Sequence, residues 1–84
     1  MKYQILTLPH ADRQLDDLSE VLQERISRAI ERLAIDPRPI HSKKLKNRTG
    51  WRIRVGSIRV IYDIDDTARR VLIMRIGHRR EIYR

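Results

Sequence analysis

Arginine is well suited to gripping phosphate, because its guanidinium stays protonated and presents a planar fork of donors to paired oxygens. Three arginines, Arg52, Arg54 and Arg59, stand in the segment Trp-Arg-Ile-Arg-Val-Gly-Ser-Ile-Arg-Val-Ile-Tyr that runs from Trp51 to Tyr62. The segment reads as two alternating strands joined by a two-residue Gly56-Ser57 turn with glycine in its first position. That register pairs Val55 with Ile58, Ile53 with Val60 and Trp51 with Tyr62, leaving one face wholly apolar or aromatic. It also sets Arg54 opposite Arg59, with Arg52 two residues along on the same face. Like charges facing each other across strands destabilise a sheet. A bound polyanion is the simplest compensation, and guanidiniums fixed on a hairpin can both hold phosphate and stabilise charge developing on it.

The wider charge distribution supports this. Residues 1–37 carry five Lys/Arg against seven Asp/Glu, whereas residues 38–84 carry fourteen against four, so the formal net charge of +8 belongs to the second part. Such a field points to nucleic acid or another acidic partner and says nothing of fold. An anionic membrane is disfavoured, since the basic residues fall mainly in strand-like segments and not on a basic amphipathic helix. A chain of 84 residues is expected to form one small domain, 1–84, without a deep cavity. There is no cysteine, no signal-like N-terminus and no long apolar run, so a cytoplasmic protein without disulfides, thiolate metal sites or membrane anchor is expected.

The elements that must carry the arginines follow from pattern. Tyr3 to Leu8 predicts a short strand stopped by Pro9, which then serves as a first helical residue. Ala11, Leu15 and Leu18 give one apolar stripe on a short helix. Ser19 is the expected cap of a longer helix whose buried stripe is Leu22, Ile26, Ala29, Ile30 and Leu33, ended by Asp36-Pro37. A basic, irregular stretch from Ile40 to Arg48 leads to the hairpin, and an Asp65-Asp66-Thr67 turn leads to a last strand. Val71 to Ile76 is apolar on both parities except at Arg75, which predicts a strand covered on both faces. The β-α-α-β-β-β order predicts an α+β fold, an antiparallel sheet with a helical hairpin on one face and the arginines on the other.

Taken in order, Ala11 to Leu18, Asp36-Pro37-Arg38-Pro39, Lys44-Leu45, Trp51 to Gly56, Arg59-Val60-Ile61-Tyr62 and Gly77-His78-Arg79-Arg80-Glu81-Ile82-Tyr83 resemble the RelE toxins, over nearly the whole chain. The resemblance implies a toxin of a type II toxin–antitoxin pair, with a separate RelB-like antitoxin chain as partner, that enters the ribosomal A site and cuts messenger RNA there. It implies attack by the RNA's own 2′-hydroxyl on the adjacent phosphorus, leaving a cyclic phosphate and a free 5′-hydroxyl, with neither metal nor cofactor. Arg52, Arg54, Arg59, Arg79 and Tyr83 match the family's functional positions.

On that resemblance Arg59 is the expected phosphate clamp, facing outward, with Arg52 or Arg54 sharing the charge and Arg79 near the leaving oxygen. Tyr83 is expected to stack on a base or orient the 2′-hydroxyl. Members of the family carry lysines where Arg52 and Arg54 stand, and guanidinium does not serve as a base, so the general base is left open among Tyr83, His78 and none. Lys43, Lys44, Lys46 and Arg48 are expected either to be a solvated loop or to bind RNA through counterion release. Trp51 and Tyr62 are expected to be core or rim aromatics and not base-stacking platforms, His10 and His41 to lie at a helix start and in a loop, and Asp63, Asp65 and Asp66 to form a turn and not a magnesium site. A related type, ParE, shares the fold but poisons DNA gyrase by binding. A noncatalytic nucleic-acid-binding module would explain the charge but not Arg79 and Tyr83.

Overall fold

The computed structural model describes residues 2–78. Strand β1 spans Gln4–Thr7, and Pro9 then opens helix α1, Pro9–Asp16, whose Ala11 is fully buried. Ser19 caps helix α2, Glu20–Leu33, its Oγ accepting from the Leu22 N–H at 3.3 Å. Gln23 reaches back to donate to the Asp16 and Leu18 carbonyls at 3.0 and 2.8 Å, satisfying groups that the end of α1 would leave open. Both helices therefore meet at one tight junction, and α2 buries Ile26, Ile30 and Leu33 against the sheet.

The sheet comprises β1, β2 (Lys43–Lys44), β3 (Trp51–Val55), β4 (Ile58–Asp65) and β5 (Arg70–His78), in the spatial order β1-β5-β4-β3-β2. The hairpin register is the expected one, with Trp51 opposite Tyr62, Ile53 opposite Val60 and Arg54 opposite Arg59. Gly56 takes φ +61°, the left-handed value that a turn with glycine first requires. Two details differ from the sequence reading. The pairing of β1 with β5 is parallel, the chain passing through both helices and then β2, β3 and β4 before β5 returns beside β1, while the other pairings are antiparallel. Part of the irregular basic stretch is the short edge strand β2, and a Leu45 N–H bond to the Gly50 carbonyl at 3.0 Å closes the loop behind it.

The core lies between the helices and the even-numbered side of β4, where Ile58, Val60 and Tyr62 are fully buried with Ile26, Leu33, Val71 and Ile73. Each such aliphatic side chain stabilises the fold by roughly 1.5–3 kcal/mol. Strand β5 corrects the expectation of a strand covered on both faces. Ile61 pairs with Arg75 but Tyr62 pairs with Ile73, so Met74 is an extra residue, a bulge that shifts the alternation by one. Val71 and Ile73 before it and Ile76 after it thus all face the helices, while Leu72 and Met74 are only half-buried. The Gln14 side chain accepts the Ile76 N–H at 2.9 Å, tying α1 to the strand just past this shift.

Candidate nucleic-acid interface

The sheet face opposite the helices carries the arginines, as expected, in two rows set by register. One row crosses β2, β3, β4 and β5 through Lys43, Arg52, Ile61 and Arg75, and the next runs Arg54, Arg59, Gly77. The bulge at Met74 places Arg75 and Gly77 on this face; with unbroken alternation Arg75 would share the helix-facing side of Val71 and Ile73. Gly77 pairs with Arg59 and adds no side chain to this face.

Arg59 does not project outward as anticipated. It is 6% exposed, on an interior strand, and lines a concavity together with residues of the basic stretch. An open concavity of about 450 Å³ is lined by Lys43, Lys44, Leu45, Lys46, Arg48, Arg52 and Arg59. Six of these carry positive charge and, among the described residues lining it, there is no carboxylate. The basic loop and the hairpin arginines, separated in sequence, therefore form the wall and floor of one site. A second concavity of about 460 Å³ continues along the edge, lined by His41, Lys43, Arg52 and Arg54. Cations gathered on one open depression suit a chain of phosphates better than an enclosed small molecule.

At the far end of the hairpin from Gly56 the electrostatics are reversed. Arg38 donates both guanidinium nitrogens to Asp66, at 3.1 and 2.8 Å, and the Tyr3 hydroxyl donates to the same carboxylate at 2.7 Å. The Arg38 guanidinium first, and the Tyr3 hydroxyl second, hold the Asp66 carboxyl down at about 2. The Tyr3 phenol and the Arg38 guanidinium are both pushed up, each chiefly by its hydrogen bond to Asp66. Arg38 also lies over the Trp51 ring, 5.3 Å from its centroid. Beneath it the buried Tyr62 hydroxyl donates to the Pro37 carbonyl at 2.7 Å, and burial pushes this phenol up to about 12. These bonds fasten the Pro37-Arg38-Pro39 connector to β4 and to the β4–β5 turn, and so fix where the basic edge begins.

Lys43, Lys44, Lys46, Arg48, Arg52 and Arg59 thus share one concavity, and Arg54 lies exposed beside it in the second. Arg79 and Tyr83 lie outside the described residues. His78 pairs with Ile58 and so falls on the helix-facing parity, away from Arg54 and Arg59. Asp63 and Asp65 accept the backbone N–H groups of Ile64 and Ala68, and Asp66 holds Tyr3 and Arg38, so all three serve the strand end and turn. The sequence reading missed Arg75 as a member of the face and Arg38 as an anchor. The break in strand alternation was a signal for the first; for the second the contact spans twenty-eight residues and leaves no local pattern.

The model describing the ParE toxin of the type II toxin–antitoxin system parDE matches residues 5–83. Among solved structures, the chain is similar to one in the RelBE2 toxin–antitoxin complex from Mycobacterium tuberculosis, at 28% identity and TM-score 0.79, covering 94% of this chain and 100% of that one. It is similar in fold to a chain of the archaeal RelE–RelB complex from Pyrococcus horikoshii OT3, at 22% identity, TM-score 0.83 and coverage of 96% and 99%. The intact RelBE complex of E. coli is likewise similar in fold, at 19% identity, TM-score 0.80 and coverage of 90% and 95%. No curated protein sequence matches the chain. The match over residues 5–83 and the shared fold identify the chain as a member of the ParE toxin family of type II toxin–antitoxin systems, within the RelE/ParE superfamily.

Proposed function

We propose that this toxin is an endoribonuclease that cuts messenger RNA on the ribosome, in the A site, and so stops translation in the cytoplasm. The observation that carries the reading is the concavity in which Arg59 and Arg52 form the floor and Lys43, Lys44, Lys46 and Arg48 the wall. In the reaction the 2′-oxygen forms a bond to the adjacent phosphorus as the bond from phosphorus to the 5′-oxygen breaks. The 2′ proton passes to a base and a proton is delivered to the leaving oxygen, giving a cyclic phosphate and a 5′-hydroxyl. Arg59, Arg52 and Arg54 would hold the phosphoryl oxygens as charge develops on them, a role that typically contributes a factor of about 10²–10³ per donor. On the resemblance to the RelE toxins, Arg79 and Tyr83 would act at the leaving oxygen and the 2′-hydroxyl, and Lys46 and Arg48 would strengthen docking through counterion release. No metal or cofactor enters this scheme. A separate RelB-like antitoxin is the proposed protein partner, supported by the similar chains having been solved in toxin–antitoxin complexes.

The family match favours one second reading, a ParE-type toxin that poisons DNA gyrase by binding. RNA cleavage is preferred because it gives the cations gathered in this concavity a phosphate chain to hold. Purified protein is expected to cut ribosome-bound message when a chelator is present on ribosomes kept intact by other polycations, and to leave gyrase supercoiling unchanged. Inhibited gyrase with intact message would replace this reading by the second.

A further inference from the structure

The basic surface does not end at the hairpin. On the other side of the Gly56 turn a groove of about 300 Å³ runs between α2 and β3, with Arg25, Arg28 and Arg32 on one bank and His41 and Arg54 on the other. The three α2 arginines fall at i, i+3 and i+7, one stripe of the helix about 10 Å long. All three are exposed, and the Arg25 guanidinium reaches to within ordinary contact of Gly56, 3.7 Å from where a Cβ would stand. Among the described residues one carboxylate pairs with the stripe: Glu24 meets Arg28 at 2.5 Å, in a pair so exposed, at 65% and 70%, that a competing phosphate displaces it at little cost.

This groove is continuous with the proposed cleavage face. His41 and Arg54 line both it and the concavity along the hairpin edge, and Lys43 and Arg52 line both that concavity and the one over Arg59. We infer that the groove between α2 and the hairpin binds the sugar-phosphate backbone of the same RNA strand that occupies the arginine face, carrying it around the hairpin edge onto Arg25, Arg28 and Arg32. An acidic polypeptide would also suit the charge, but continuity with a face that takes phosphates favours the strand already bound there. The inference rests on the RNA reading above, and adds to it a strand path and a longer footprint.

The test is binding of 2′-O-methyl RNA, which lacks the attacking hydroxyl, as oligonucleotides of about 4 and about 16 nucleotides, a range spanned by known single-strand sites. The full chain is compared with an Arg25→Gln/Arg28→Gln/Arg32→Gln variant, whose fold is checked by thermal melting; glutamine is a good helix former and the three sites are exposed. The parent is expected to bind the longer oligonucleotide more tightly, and the variant to lose that advantage while holding the shorter one equally well. Its salt slope for the longer oligonucleotide should fall by about 2, three contacts at roughly 0.7 each. A variant that keeps the length advantage and slope overturns the strand path; if it has also lost affinity for poly-aspartate, the groove belongs to an acidic polypeptide. A parent that binds both oligonucleotides equally overturns the path alone, and a parent that binds neither overturns the RNA reading and the path with it.

Discussion

Two arginine clusters stand at opposite ends of one hairpin and illustrate what the same side chain does in two settings. Arg38 is closed: both of its terminal nitrogens are spent on Asp66, the Tyr3 hydroxyl completes the carboxylate's shell, and Trp51 lies under the guanidinium. Arg52 and Arg59 instead border a concavity with four further cations, and Arg54 faces Arg59 across the ladder. The first arrangement satisfies its charge within the fold and fastens a connector. The second gathers like charge along one open surface. Asp66 sits at the β4–β5 turn, within reach of the connector, while the described residues that line the Arg59 concavity are Leu45 and six cations.

The largest expected effect separates activity from stability on the open face. An Arg52→Ala/Arg54→Ala variant should cut ribosome-bound message at least about 100-fold more slowly in single-turnover assays. Its melting temperature should hold or rise, since relief of the Arg54–Arg59 repulsion is worth about 0.2–1 kcal/mol. Gly50→Ala should come next, through the loop that walls the site. Gly50 has φ +124° and a Cβ there would stand 3.1 Å from the Tyr62 carbonyl oxygen, so chemical denaturation should show a loss of about 1–3 kcal/mol. Lys46→Gln/Arg48→Gln should act only on docking, lowering the salt slope of single-strand RNA binding by about 1.4 with melting unchanged. The smallest effect belongs to the closed cluster. Asp66 has its carboxyl lowered from 3.8 to about 2, so its contribution is complete above 3.8 and is lost as the pH falls through about 2. The stability advantage of the parent over Asp66→Asn should therefore be constant near neutrality and vanish across that acidic window.

Much of this was legible in the sequence because the signals are local. Alternation from Trp51 to Tyr62 and the Gly56-Ser57 turn determine the hairpin register, and with it the Arg54–Arg59 pairing. Ser19 and Pro9 mark helix starts by the chemistry of their own positions. The burial of Arg59 was not legible, since alternation assigns it to the outer face but does not show that its strand lies in the interior of the sheet. Apolar residues on both parities of β5 imitated a strand covered twice, when one extra residue at Met74 had shifted the phase and turned Arg75 outward. The Arg38–Asp66 anchor joins segments whose separation no periodicity spans.

The most direct test sets the two clusters against each other: single-turnover cleavage of ribosome-bound message by Arg59→Ala and by Arg38→Ala, each rate divided by the fraction folded at the assay temperature. That normalisation matters for Arg59, whose burial gives its removal a stability cost of its own. The account predicts that Arg59→Ala loses a factor of about 10²–10³ per folded molecule while Arg38→Ala stays within a few-fold of the parent. Equal rates for the two variants, or a folded Arg59→Ala that cuts like the parent, would contradict it.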